Sequence, residues 1–140
     1  GLYFYFRIMK KKQIFIQDTG IYSDEIIVAA NSDKGEILRF LKKLPRVKKE
    51  VIEWIKNEQE AFKVFEENNA LVAHNDGKFL LLLHKPEDSW GFWEILLHEL
   101  HHLVHYLAND KRFLEEMEAQ AYLQEYLFHS IRRKIMGYEN

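Results

Sequence analysis

From Trp90 to Leu107 the chain carries two stripes that a helix separates cleanly. Trp93, Leu96, Leu97, Leu100, Leu103, Val104 and Leu107 gather on one side; His98, His101, His102 and His105 gather on the other, with Glu94 and Gly91. The division follows from a turn of ~100° per residue and predicts a rod that lies on a core and leaves its histidines at a surface or a cleft floor. Within the rod, His98-Glu99-Leu100-His101-His102 is an H-E-x-x-H sequence. Imidazoles four residues apart on a helix project from one face about one turn apart, so both reach one metal ion. A glutamate directly after the first is placed to hold and deprotonate a water on that ion. The bland alternative is a solvated histidine face without metal, and four ionisable imidazoles would be an odd way to meet water.

A catalytic zinc usually takes three protein ligands and keeps a fourth position for water. Leu107-Ala108-Asn109-Asp110-Lys111 ends the first rod in turn-forming residues, and a periodic run from about Arg112 to Ile135 follows. An antiparallel hairpin turning near Asp110 reflects position 102 onto Glu118, the expected third ligand. Its predicted face also holds Leu114, Ala121, Tyr122, Glu125 and His129, while Phe113, Met117, Leu127, Phe128 and Ile131 are expected in the core. Glu115 is the runner-up, reflected onto His105. An exposed helix carboxylate is the alternative for any one glutamate here, because Glu115-Glu116-Met117-Glu118 is acidic throughout.

His98-Glu99-Leu100-His101-His102 followed by Glu118-Ala119-Gln120-Ala121-Tyr122 resembles the gluzincin metallopeptidases, and looks most like the minimal ImmA/IrrE-type domains. The resemblance covers about Lys78 to His129. Gln120 stands where that family often has Asn or Asp, Leu123 replaces a small residue, and His101 occupies a position that is often glycine. The resemblance implies a zinc-activated water attacking a peptide carbonyl, with the substrate lying along a sheet edge next to the strand that precedes the metal helix.

On this reading Zn2+ is bound by His98, His102 and Glu118, and Glu99 is the general base. Tyr122, reflected opposite His98, is the first choice for stabilising the tetrahedral oxyanion, with His129 and His101 behind it. Glu125 and Glu94 are candidates to orient the ligating imidazoles. The expected function is a zinc-dependent peptidase acting on a peptide or protein. The alternative is a zinc-fold binding or regulatory protein that uses its cleft to hold a partner. A carboxylate-bridged di-iron bundle would need a second E-x-x-H, and Glu125 to His129 is one residue too long.

The 140 residues, 47% hydrophobic and 14% aromatic, suffice to bury the core of one domain spanning 1–140. With 20 basic and 22 acidic residues the net charge is −2, which gives no global field for nucleic acid or membrane. The basic clusters at Lys10–Lys12, Lys42-Lys43, Lys48-Lys49 and Arg132-Arg133-Lys134 are scattered without an aromatic stacking platform, so no nucleic-acid partner is expected. The absence of cysteine leaves histidine and carboxylate as metal ligands and points to the cytoplasm. No apolar run approaches the ~20 residues that span a bilayer. Met9-Lys10-Lys11-Lys12 reads like a translation start, and residues 1–8 read equally as native chain or as an added remnant.

The fold class expected is α+β, a small antiparallel sheet packed against helices, with the H-E-x-x-H helix and its antiparallel successor forming a hairpin. Leu2–Ile8 and Gln13–Gln17 read as strands around a lysine turn, and Asp24–Ala30 as another. Asn31-Ser32-Asp33 offers a cap for a helix through Leu44, which Pro45 ends while opening the next. That next run recurs at helical spacing from Val47 to Phe65. Leu71–His74 and Lys78–His84 flank Asn75-Asp76-Gly77, a hairpin signal, and Asp88 or Ser89 caps the metal helix. Phe79-Leu80-Leu81-Leu82-Leu83 is apolar throughout, so burial on both faces is expected; as an edge strand it would pair with an extended peptide.

Overall fold

The computed structural model describes residues 10–138. Strands β1 (Gln13–Thr19) and β2 (Tyr22–Ala30) form an antiparallel hairpin. The turn is possible because Gly20 takes φ 70°, and its amide donates to Asp18 Oδ1 at 2.9 Å. The expected hairpin of Gln13–Gln17 with Leu2–Ile8 concerns residues outside those described; β2 is the partner found here.

Helix α1 (Lys34–Lys42) begins in a capping box: the Glu36 amide donates to Asp33 Oδ1 at 2.8 Å, and the Asp33 amide donates to Glu36 Oε1 at 3.1 Å. Pro45 lies in the connection that follows rather than opening the next helix. The run from Val47 to Phe65 is two helices, α2 (Lys49–Asn57) and α3 (Glu60–Phe65). Glu58, extended at ψ 112°, interrupts them, and its carboxylate accepts from the Ala61 amide at 2.9 Å.

Strands β3 (Ala70–Asn75) and β4 (Lys78–Leu83) are joined by Asp76 at φ 46° and Gly77 at φ 78°, the two left-handed residues that a tight hairpin turn requires. The long helices α4 (Trp90–Asp110) and α5 (Met117–Met136) complete the chain. Among the described residues no helix is long and apolar enough to cross a membrane.

The four strands lie in the order β1-β2-β4-β3. The expected all-antiparallel sheet is corrected in one respect: β2 and β4 run parallel, Ile26 opposite Phe79 through Ala30 opposite Leu83. The physical reason is the composition of these two strands. Ile26 to Ala30 and Phe79 to Leu83 are all 6% exposed or less, so both need cover on both faces and both take interior places. A parallel pair needs a crossover, and α1, α2, α3 and β3 provide it. Ile27, Ala29, Leu80 and Leu82 pack with Ile37, Leu41 and Ile55 of α1 and α2 on one face. Ile26, Val28, Ala30, Phe79, Leu81 and Leu83 pack with α4 and α5 on the other.

Helix α5 is also tied to β1. Gln17 is wholly buried, and its Oε1 accepts from Ser130 Oγ at 3.1 Å and Lys134 Nζ at 2.9 Å. The Tyr126 hydroxyl donates to Asp18 Oδ1. That bond, with the Gly20 amide, holds the Asp18 carboxyl below the usual carboxylate range and raises the Tyr126 phenol above its own.

Two outcomes follow. Leu81→Ala, at a position of zero exposure between β2, β3 and the α4–α5 layer, should lower unfolding free energy by about 2–5 kcal/mol in urea titrations. Asp18 has a depressed pKa when folded, so its contribution exists above the unfolded value of about 3.9 and fades as pH falls through the folded value. Tyr126 has a raised pKa, so its contribution exists below the unfolded value of about 10 and fades as pH rises through the folded value. Tyr126→Phe should therefore flatten both limbs of the stability–pH profile; limbs as steep as in the parent would show that the bond carries no such linkage.

Candidate metal centre

Helix α4 is fixed at its start by short-range chemistry. The Phe92 amide donates to the Ser89 hydroxyl at 3.2 Å, so Ser89, one of the two expected caps, is the N-cap. The other, Asp88, accepts from Trp93 Nε1 at 2.9 Å and lies 3.7 Å from the Arg132 guanidinium, which also stands over the Trp93 ring. Leu96, Leu100, Leu103 and Leu107 have no exposure at all, whereas His98, His101, His102 and His105 are exposed. The two stripes of the sequence are thus the two faces of the helix.

His98 and His102 meet. Their Nε2 atoms are 3.1 Å apart and their rings stand nearly perpendicular, at 85°. Two imidazole nitrogens on one tetrahedral zinc, each at 2.0–2.1 Å, are about 3.3 Å apart, a separation close to the one found here. Without an ion the same contact requires one ring to donate and the other to accept. Glu99, half-buried beside them, has its carboxyl raised above the usual range by burial, an effect the His102 and His98 imidazoles oppose.

An open cleft of about 490 Å³ adjoins this pair. Asn68, Asn69 and Ala70, at the entry to β3, face Glu94, His98 and Glu99 across it. Further along α4 the Tyr106 ring stacks on His74 of β3, with centroids 3.7 Å apart and planes 18° from parallel; it is also near-parallel to His102, at 6.5 Å. Sequence reasoning did not single out His74 or Tyr106. Tyr106 is one turn beyond His102, a signal that was there to read; His74 joins it only through the packing of β3 on α4.

The other predicted residues are not gathered here. The hairpin of α4 and α5 forms, and Asp88 with Arg132, Trp93 with Phe128, and Leu97 with Gln124 are its rungs; Gln124 Nε2 donates to the Leu97 carbonyl at 3.2 Å. Counted from these rungs, Glu118 is level with His102 and Leu103, as reflection predicts. Its direction differs. Helix α5 buries Leu123, Leu127, Ile131 and Ile135, which turns the stripe of Glu118, Tyr122, Glu125 and His129 to the outside, where all four are exposed. Tyr122 is 67% exposed, and Met117, expected in the core, is 80% exposed. Glu115 lies in the connection before α5, which starts five residues later than the periodicity suggests. Phe113 is buried there and stacks on Tyr22, Arg112 takes φ 63°, and Gln120 Nε2 donates to the Leu114 carbonyl at 2.7 Å. Among the described residues, no three His, Asp or Glu side chains are arranged to hold a metal ion.

No protein-family model, curated protein or solved structure matches the chain.

Proposed function

We propose that this chain is a zinc-dependent peptidase whose centre is built on His98, His102 and Glu99. The observation that carries the reading is the 3.1 Å approach of the two Nε2 atoms, with a half-buried carboxylate from the intervening turn beside them. The donor chemistry fits zinc, for which imidazole nitrogen is a preferred ligand. His98 and His102 would hold the ion; Glu118, level with them on α5 but turned outward, is the proposed third ligand and would have to swing toward them to reach it. Bound there, zinc would supply Lewis acidity and a water of lowered pKa. The Glu99 carboxylate would orient the attacking water, take its proton as it adds to the carbonyl carbon, and pass that proton to the leaving amine. Tyr122, proposed as oxyanion donor, shares a separate surface depression with Glu125 and His129. Its role would therefore require a changed side-chain orientation.

The substrate class is argued from the sheet. The strand directly before the metal helix, β4, is interior and has no edge to offer; among the described residues the unpaired edge beside α4 belongs to β3. The His84 amide donates to the Asn69 carbonyl at 2.9 Å, so by alternation Ala70, Val72 and His74 turn their backbone amides and carbonyls away from β4. An extended peptide added there would run from the His74–Tyr106 stack to the cleft at His98 and Glu99, its backbone bonded and its alternate side chains free to be selected. A protein or peptide substrate and a cytoplasmic location complete the proposal, the latter supported by the absence of cysteine.

The outward direction of Glu118 favours a second reading: a zinc-dependent binding or regulatory protein that holds a partner in the same cleft without cutting it. One experiment separates the two. Zinc-loaded protein and Glu99→Gln are incubated with a peptide library, and metal content is measured in both. The peptidase reading expects cleavage by the parent, a loss of about 10²–10⁴-fold in Glu99→Gln, and equal zinc content. Cleavage retained in Glu99→Gln removes Glu99 from the mechanism. Zinc bound stoichiometrically by a parent that cleaves nothing supports the binding protein.

A further inference from the structure

Two of the four exposed histidines on α4 are not used by the proposed centre. His101 and His105 repeat the spacing of His98 and His102 on the same helix, displaced by three residues. Both are exposed, and among the described residues neither ring nitrogen has a hydrogen-bond or ion-pair partner. The His101 ring lies 6.2 Å from His102 and the His105 ring 6.0 Å from Tyr106, so neither is locked into the first pair.

We propose that His101 and His105 form a second, separate chelate on α4 for a divalent transition ion of the copper, nickel and zinc class. The helix supplies the argument. His98 and His102 show that four-residue spacing on this rod allows two Nε2 atoms to approach to 3.1 Å; His101 and His105, three residues along, have the same spacing and, being exposed, can reach the same separation by side-chain rotation. Imidazole nitrogens favour copper, nickel and zinc over magnesium or calcium, with Cu2+ bound most strongly. Two protein nitrogens leave the remaining positions to water, as suits the tetragonal preference of Cu2+.

The second chelate is not half of a dinuclear centre. A shift of three residues moves the site 4.5 Å along the axis and about 60° around it. For ions held roughly 8 Å from the helix axis, the two positions are then about 9 Å apart. Paired catalytic ions stand about 3.5–4 Å apart. The two sites therefore load as independent ions, and the second exists whether or not the first hydrolyses peptides.

The test uses Cu2+ alone, titrated calorimetrically into the full chain carrying H98N and H102N, with helicity checked by circular dichroism. One tight ion per chain is expected. Adding either H101N or H105N should weaken that ion by about 10²-fold, because the second imidazole binds intramolecularly once the first is engaged. The variant lacking all four helix histidines gives the background from His74, His84 and His129. Electron paramagnetic resonance of the loaded H98N/H102N protein should show two imidazole nitrogens. The proposal is overturned if H101N or H105N leaves the affinity of the H98N/H102N protein unchanged, or if that protein binds Cu2+ no more tightly than the background variant. Failure of peptide cleavage would leave these readouts untouched, so the two proposals fail separately.

Discussion

Burial of β4 on both faces is the constraint on which the other elements depend. Phe79 is 1% exposed and Leu80 to Leu83 are not exposed at all. Withdrawing each such side chain from water contributes about 1.5–3 kcal/mol, and that gain is available only if apolar surface waits on each side of the sheet. One side is met by Ile37, Leu41 and Ile55, the other by Leu96, Leu100 and Leu103 of α4 and Leu123, Leu127 and Ile131 of α5. The orientation of α4 follows. Its leucines are committed to β4 and β2, so its histidines face outward, away from the sheet.

The sequence was most legible where local chemistry decides. The Asp33 capping box, the Asp76-Gly77 turn, the Ser89 cap and the double stripe of α4 each depend on residues within a few positions of one another. Strand order was not legible in the same way. A run such as Phe79 to Leu83 announces burial on both faces but does not say which strand lies on either side. The parallel pairing with Ile26 to Ala30 reaches across three helices and a strand. The division of Val47 to Phe65 into two helices rests on Glu58, a residue with no strong preference of its own.

The candidate site divides along similar lines. His98, Glu99 and His102 come from one turn of one helix, and their relation is dictated by helix geometry alone. Glu118 depends on two helices, and reflection through a turn fixes how far along the partner a residue stands, not which way it points. Rotation about the axis of α5 is set by Leu123, Leu127, Ile131 and Ile135, whose burial at four-residue intervals carries Glu118 and Tyr122 to the opposite side. His74 and Tyr106 occupy the other flank of α4, where a strand rather than a helix stands beside the histidines.

The rim of β3 has a consequence for the molecule in company. Three successive amide–carbonyl units at Ala70, Val72 and His74 form a template that a like molecule can use as readily as a ligand, and pairing of this kind is how sheets fuse into larger assemblies. The strand is short, six residues, and it leaves the sheet through His74, Asn75 and Asp76, which are exposed and polar. That brevity leaves little backbone on which such pairing could grow. In crowded solution, self-pairing and the proposed capture of an extended ligand would compete for the same strip of backbone.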